Sequence, residues 1–482
     1  MIDILIENGT IVTMNKVRET VQNGAIAIEK SKIVGVGKTK DVEREFRARK
    51  VIDANNTVVM PGLIDCHHHS GHGLIKAIGE HGFDWNKWVG EAYPRCTTES
   101  FWYVESLLSA IEKIKFGTTC AATFFGGGMG GVHCDDPIYS DNHLKAATEV
   151  GIREVFGIGP AGQSLPVHPR TFSHWQGNKS IEIEIGFEAM LSVIERVIKK
   201  WNDADDGRIQ VAISPNRLVA SSEPPEQDML VVKKQAAQLR ELTAKYGTGI
   251  MAHASGGTIH LLKELQMLGK DTMLSHCTGL SDEEIKTLAA TETPIVHCAK
   301  SSAVYQARCP VVELIEAGGI VVLGSDGNAP NLNLDLFEVM RRAASLQRLH
   351  FKSSDYMPPG KLLEMVTIDA AKALRLDHLL GSIEVGKKAD IILLDMHKPH
   401  LVPEWLAPQK IVYYASGSDV DTVLIDGRIV MQNRKMTRVD ESKVLKDAQR
   451  EGDKFLERLD LTPTLVKPSM DFSTGFWGTA KY

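Results

Sequence analysis

The 482-residue sequence has seven cysteines, Cys66, Cys96, Cys120, Cys134, Cys277, Cys298 and Cys309, but no Cys-x-x-Cys pair. That spacing excludes a zinc ribbon and a thioredoxin-like redox site. Unpaired thiols scattered over a long chain fit a reducing compartment, so a cytoplasmic location is expected. No apolar run approaches the ~20 residues that a membrane helix needs, and no membrane partner is expected. Met1-Ile2-Asp3-Ile4 lacks a basic segment leading into an apolar one, so no secretory leader is expected. Charge of one sign is scarce: 55 Lys+Arg against 61 Asp+Glu leave a net charge of −6. A nucleic-acid-binding surface would be basic and clustered. The expected partner is instead a small molecule, uncharged or weakly charged.

Several catalytic signatures are missing. There is no G-x-S-x-G elbow and no H-E-x-x-H helix, so serine-hydrolase and zincin chemistry lack support. Gly126, Gly128 and Gly131 satisfy G-x-G-x-x-G, but Val132–Pro137 follows instead of a helix start. A dinucleotide site needs that helix for the pyrophosphate. Gly381–Lys388 (GSIEVGKK) lacks the Ser/Thr of a phosphate-binding loop and runs into a strand. What remains is an ordinary globular composition, 43% hydrophobic and 24% charged, which excludes disorder as the main state.

The two ends of the chain echo each other. Residues 5–12 (LIENGTIV) and 424–430 (LIDGRIV) both read as hairpins around Asn/Asp-Gly. More strand-like runs surround them, at 25–29, 33–36, 51–53, 390–394 and 420–425. One small β-sheet domain built from both termini is expected, with residues 1–58 and 377–482 flanking a central unit at 59–376. In that unit, apolar runs start near residues 62, 118, 153, 209, 249, 272, 294 and 320. Helical stretches lie between several of them, at 99–115, 186–200, 228–246 and 282–290. Strand–helix alternation predicts parallel βαβ units. Eight strands fit a (β/α)₈ barrel, whose site lies at the carboxyl ends of the strands; an open doubly wound sheet would alternate in the same way.

The strand ends carry the chemistry. Strand one runs into His67-His68-His69, strand five into His253, strand six into His276, strand seven into His297 and strand eight into Asp326. Side chains alternate along a strand, so His67 and His69 share a face and His68 points away. Three imidazoles and a carboxylate at one barrel mouth suit a divalent metal with room left for water. The metal lowers that water's pKa toward ~7, and Asp326 can accept its proton.

The segments Pro61–His69, His253, His276-Cys277, His297, Ser325-Asp326-Gly327, Lys361–Ala373 and Gly381–Asp395 resemble the amidohydrolase superfamily. The tail segments are similar to the branch holding atrazine chlorohydrolase, guanine deaminase and S-adenosylhomocysteine deaminase. The resemblance implies a (β/α)₈ TIM barrel with a small β-sandwich formed by both termini. It implies metal ligands at His67, His69, His253 and Asp326. It places His276 against the substrate near the metal and His297 in the pocket lining. Binuclear members use a carboxylated lysine, or occasionally a glutamate, after strand four. Here Ile213-Ser214-Pro215-Asn216 offers neither, so one divalent ion is expected, Zn²⁺ first, with Fe²⁺, Co²⁺ or Mn²⁺ also suited to N/O ligands.

Two departures fall on the substrate side. Deaminases of this branch usually carry a glutamate three residues after the strand-five histidine, which protonates the ring nitrogen; Gly256 stands there. After His297 comes Cys298-Ala299-Lys300-Ser301-Ser302 in place of approximately N-P-x-S-N. Without the acid, cleavage of an amide-, urea- or carbamate-like C–N bond of a small aromatic or heterocyclic molecule is favoured, since Asp326 can return its proton to the leaving nitrogen. The alternatives are deamination of an N-heterocycle or triazine-type dechlorination, with Lys300, Glu223 or His260 as a relocated acid. A further alternative is a catalytically silent metal-binding regulator. Trp85, Trp88, His72 and Lys300 are candidate substrate contacts, with His72 open to solvent or to the pocket. His168 and His174 fall in a possible lid. The charged run 441–459 is expected to form a helix packed on the terminal sheet or on a second subunit of a homo-oligomer, a dimer or larger.

Overall fold

The structure, a computed structural model, describes residues 1–76, 85–127, 130–177, 179–305, 307–329 and 333–459, with the backbone alone at 85–88. Eight parallel strands form the centre: Leu63–His69, Thr118–Phe124, Arg153–Ile158, Ile209–Ile213, Ile250–Ser255, Thr272–Thr278, Ile295–His297 and Val321–Leu323. Each pairs with its neighbour in chain order. Residues just past the last strand return to the first, where the Asp326 amide donates to the His67 carbonyl at 2.8 Å. The cylinder is a nearly closed TIM barrel. Its strands are buried on both faces, which is why they read as continuous apolar runs and not as alternating ones.

The helices between the strands begin where their capping residues dictate. Thr98 accepts the Phe101 amide at the start of Glu99–Lys115. Ser281 and Glu284 cap Asp282–Ala290 reciprocally, satisfying amides that a helix start would leave unpaired.

Both termini contribute to a second, nine-stranded sheet. Its seam is the antiparallel pairing of Thr57–Pro61 with Ile391–Asp395, from Pro61↔Ile391 to Thr57↔Asp395. A buried ion pair ties this sheet to the barrel: Arg153 at the start of strand three donates to Asp390 at 3.0 and 3.2 Å. Breaking a buried, bidentate pair by removing one partner costs about 3–5 kcal/mol.

The second hairpin expected from the sequence is present: Val420–Ile425 and Arg428–Gln432 turn through Asp426-Gly427, both with positive φ. The first is not. Residues 5–12 lie within one strand, Ile2–Val12. Asn8, at φ +64°, makes a bulge there, and the strand continues because it pairs with Thr20–Glu29 on one side and with Ala48–Asp53 and Thr57–Pro61 on the other. The helix Glu441–Arg458 also departs from expectation: Phe455 packs on Phe101 and Tyr93, so the helix lies against the barrel helix Glu99–Lys115. Residues 170–185 form a hairpin, Arg170–Gln176 with Lys179–Ile185, that the sequence did not reveal.

Candidate metal centre

The carboxyl ends of strands one, five and eight bring four side chains together. His69 Nε2 lies 3.1 Å from His253 Nε2. Asp326 Oδ1 lies 3.5 Å from His67 Nε2 and 3.6 Å from His69 Nε2. One potential ligand atom from each of His67, His69 and His253 falls within 4.8 Å of the others, and so does one from each of His67, His276, Cys298 and Asp326.

The other face of each imidazole is tied down. His69 Nδ1 donates to the Gly126 carbonyl at 2.9 Å and His253 Nδ1 to the Asn216 carbonyl at 2.7 Å. His67 Nδ1 meets the Ser275 hydroxyl at 2.9 Å. A carbonyl can only accept, so in His69 and His253 Nδ1 carries the proton and Nε2 presents a lone pair, whereas the Ser275 hydroxyl can either donate to His67 Nδ1 or accept from it. Two such lone pairs facing each other at 3.1 Å repel without a cation between them, and the buried Nε2 of His67 has no hydrogen-bond partner among the described residues. The donor set fits a divalent ion with an outer layer that fixes the ring orientations.

Electrostatics agree. Burial drives the His67 imidazole down to about 4. Burial also lowers His69 and His276, and takes His253 well below its usual value. Burial alone would raise Asp326, but His67, His276 and His69 around it hold the carboxyl well below the ordinary range. Neutral imidazoles beside an ionised carboxylate are the forms that ligate metals. Asp326 is held by the Gly327 amide at 2.6 Å and by the Ser301 hydroxyl, with φ at +61°. Beneath it, buried Asp65 accepts the His67 amide at 3.2 Å, the Ser325 amide at 2.9 Å and the Ser325 hydroxyl at 2.5 Å.

The match to known proteins follows the geometry. The amidohydrolase family model covers residues 58–430. The chain belongs to the amidohydrolase family. This amidohydrolase is a hydrolase of carbon–nitrogen bonds other than peptide bonds. It is 32% identical to the 5'-deoxyadenosine deaminase of Methanosarcina acetivorans over 95% of this chain and 99% of that protein. It is 30% identical to the 5-methylthioadenosine/S-adenosylhomocysteine deaminase of Thermoanaerobacter pseudethanolicus over 95% of this chain and 100% of that one. An adenosine deaminase from Xanthomonas campestris with bound zinc shares the fold at a TM-score of 0.80, with 20% identity and coverage of 95% and 99%. An atrazine chlorohydrolase from Arthrobacter aurescens, in complex with zinc, gives 0.73 with 19% identity and coverage of 93% and 100%.

Around the amidohydrolase centre, the remaining candidates separate. His276 Nε2 lies 3.9 Å from Asp326 Oδ2. His72 is buried, not solvated, and stacks on His69 with ring centroids 5.3 Å apart. Lys300 is buried as well, and its ammonium donates to the Asn333 carbonyl. His260 is exposed on the helix Ile259–Glu264, 3.8 Å from Glu283, and Glu223 is exposed on a loop. Neither is part of the cluster. His168 is exposed, while His174 and His133 share Asp135. Trp85 and Trp88 begin the helix Trp85–Cys96; their side chains lie outside the described residues. All seven cysteines are buried free thiols. Sequence reasoning missed Ser275, Ser301 and the carbonyls of Gly126 and Asn216. Ser275 and Ser301 adjoin site motifs and were within reach of it; a backbone carbonyl leaves no mark in a sequence.

His297 is fully buried beside a cavity of about 270 Å³ that Ser302, Arg308 and Gln347 also line. Burial, then the charges of His276 and Arg308, take its imidazole down to about 3. An unfolded histidine titrates near ~6.5, so protons bind the unfolded chain first. Folding stability is therefore lost as pH falls below ~6.5, by at most about 1.4 kcal/mol per pH unit for this group, until about 3. His297→Gln is expected to flatten the decline of the urea midpoint between pH 6.5 and 4.5. Parallel slopes for the two proteins would contradict that assignment.

Proposed function

We propose that the protein is a single-metal hydrolase that cleaves an amide-, urea- or carbamate-like C–N bond of a small aromatic or heterocyclic molecule. Gly256 carries the choice. A Cβ there would lie 1.8 Å from the Gly279 carbonyl oxygen, so the backbone fills the place of the deaminases' acid. The neighbouring carboxylate, Glu284, is engaged by the amides of Gly257 at 2.7 Å and Ser281 at 2.9 Å and is a structural cap.

In this reading His67, His69, His253 and Asp326 hold one divalent ion, zinc by default. When bound, the ion supplies Lewis acidity that brings the pKa of water toward ~7. Asp326 takes the proton of the attacking water and returns it to the leaving nitrogen. His276 polarises the carbonyl, and His297 and His72 shape the pocket. Gly126 and Asn216 keep His69 and His253 in the tautomer that points a lone pair on Nε2 inward, and Ser275 holds the His67 ring. The domain limits at 58/59 and 376/377, a sandwich form for the terminal sheet, a homo-oligomer and a cytoplasmic location belong to the same proposal. Among the described residues no helix is long and apolar enough to cross a membrane.

A second reading, deamination of an adenosine-type nucleoside, is favoured by the names of the relatives at 30–32% identity. One assay separates the two. Anilides and phenylureas are screened for amine release beside 5'-deoxyadenosine, aminated pterins and triazines for ammonia release. Amine release from the first panel is expected. Rapid ammonia release from the second would reverse the ranking, and silence in both would leave a metal-binding protein. Metal analysis is expected to find one tightly held equivalent per chain; two, or none after gentle purification, would exclude the single-metal site.

A further inference from the structure

Strand seven, Ile295–His297, turns successive side chains to opposite faces. Val296 packs inside the barrel with Ile64, Cys120 and Val322, and Cys298 reaches the metal cluster. Ile295 packs in the outer layer with Leu314 and Met340. His297 shares the outward face of Ile295, so it shapes the mouth only from behind its wall. Its ring lines the cavity of about 270 Å³. The other walls are Ser302 and Ala303 of the helix Ala299–Val304, Ala307 and Arg308 after it, and Leu346 and Gln347 of the helix Leu336–Phe351. None of these belongs to the metal cluster. On one short helix, Ser301 donates to Asp326 while Ser302 lines the cavity.

The cavity walls carry polar atoms with nothing to bond. Both ring nitrogens of His297, the Ser302 hydroxyl and Arg308 Nε are buried and have no hydrogen-bond partner among the described residues. His297 is 0% exposed and Ser302 6%. Roughly 90% or more of buried polar groups are paired, so four unpaired atoms around one cavity call for a ligand. The far edge of Arg308 is already spent. Its Nη2 donates to Glu313 at 2.6–2.7 Å and to Gln347 at 3.1 Å. Gln347 in turn donates to the Cys309 carbonyl at 3.2 Å. Glu313 thus balances the guanidinium charge, and burial keeps the His297 imidazole neutral. What is left is a site without net charge. Arg308 Nε donates, the Ser302 hydroxyl donates or accepts, and the imidazole offers one donor and one acceptor. Ala303, Ala307 and Leu346 add apolar wall. The volume is just under the ~300 Å³ at which pockets for drug-sized ligands begin, which suits a single ring.

We propose that this cavity is a second binding site, for a neutral planar heterocycle with adjacent C=O and N–H groups, a cyclic amide. The C=O accepts from Arg308 Nε and the Ser302 hydroxyl, and the N–H donates to the accepting nitrogen of His297. Such a site stands whatever bond the metal centre cleaves.

The test is calorimetry on the metal-loaded protein with 2-pyridone as probe. N-methyl-2-pyridone, which lacks the N–H, and benzoate, an anion, are the controls. The wild type is expected to bind 2-pyridone about tenfold or more tighter than its N-methyl form, because the methyl leaves the imidazole nitrogen unpaired. Benzoate at equal concentration is expected not to displace 2-pyridone. Ser302→Ala is expected to weaken binding severalfold, and Ala307→Leu, which adds bulk at the wall, to abolish it. Thermal unfolding checks that each variant is folded; if Ala307→Leu is not, Ser302→Ala and the paired probes decide. A probe held at the metal centre would bind all folded variants alike and overturn the site. Absence of binding to the wild type, with water alone in the cavity, overturns it too, as do equal affinities for the two pyridones. Displacement by benzoate overturns the neutral ligand.

Discussion

Asp326→Asn is expected to lower kcat by at least about 10³-fold while the protein stays folded. General acid–base groups contribute roughly 10²–10⁴-fold, and this residue is asked to take a proton and give it back. Asparagine is nearly isosteric and tolerates the left-handed backbone at φ +61°. Its single oxygen can keep the Gly327 amide, and its Nδ2 can donate to the Ser301 hydroxyl, which then accepts instead of donating, so the strand end has no reason to move. What it loses is the negative charge that faces His67, His69 and His276. The measurements are kcat on the amine-releasing substrate, metal content and thermal unfolding. A kcat within threefold of the wild type would remove Asp326 as the base. Loss of metal along with activity would make it a ligand first.

Gly256→Glu is expected to damage the fold instead of creating a deaminase. The Gly256 amide already donates to the Thr278 carbonyl at 2.8 Å. Its new Cβ would meet the oxygen and carbon of Gly279 at 1.8 and 2.4 Å, and both are backbone atoms that cannot rotate away. Overpacking against side chains costs about 1–3 kcal/mol; a collision with backbone at this distance exceeds that range. The turn lies three residues past His253, so metal content should fall as well. Thermal unfolding at matched metal load is the measurement. A variant as stable as the wild type that releases ammonia from 5'-deoxyadenosine would show that the turn can open for an acid, and deamination would become the better reading.

The sequence showed most of the barrel, for a physical reason. Parallel strands buried on both sides must be apolar throughout, so all eight were visible as runs. His67, His69, His253 and Asp326 were legible because titratable residues recurred at the same end of successive strands. Legibility ended where partners are distant or made of backbone. Asn8-Gly9 has the composition of a turn, and only the strands flanking Ile2–Val12 make it a bulge. His72 looked free to meet solvent, yet Gly327 brings backbone so close that a Cβ there would sit 1.8 Å from His72 Nδ1. Lys300 is fixed by a carbonyl 33 residues away.

The seam between Thr57–Pro61 and Ile391–Asp395 also sets a timetable. About 330 residues separate the two strands, and nascent chains lengthen at roughly 5–20 residues per second. For about 15–65 s during synthesis, Ile2–Val12 and its neighbours wait with an edge unpaired, while the barrel they support is still emerging. Contacts of such long sequence separation form late. The buried Arg153 would wait about 12–47 s for Asp390, which lies 237 residues further on. Truncation before residue 391 should therefore yield chains that aggregate rather than a smaller working barrel.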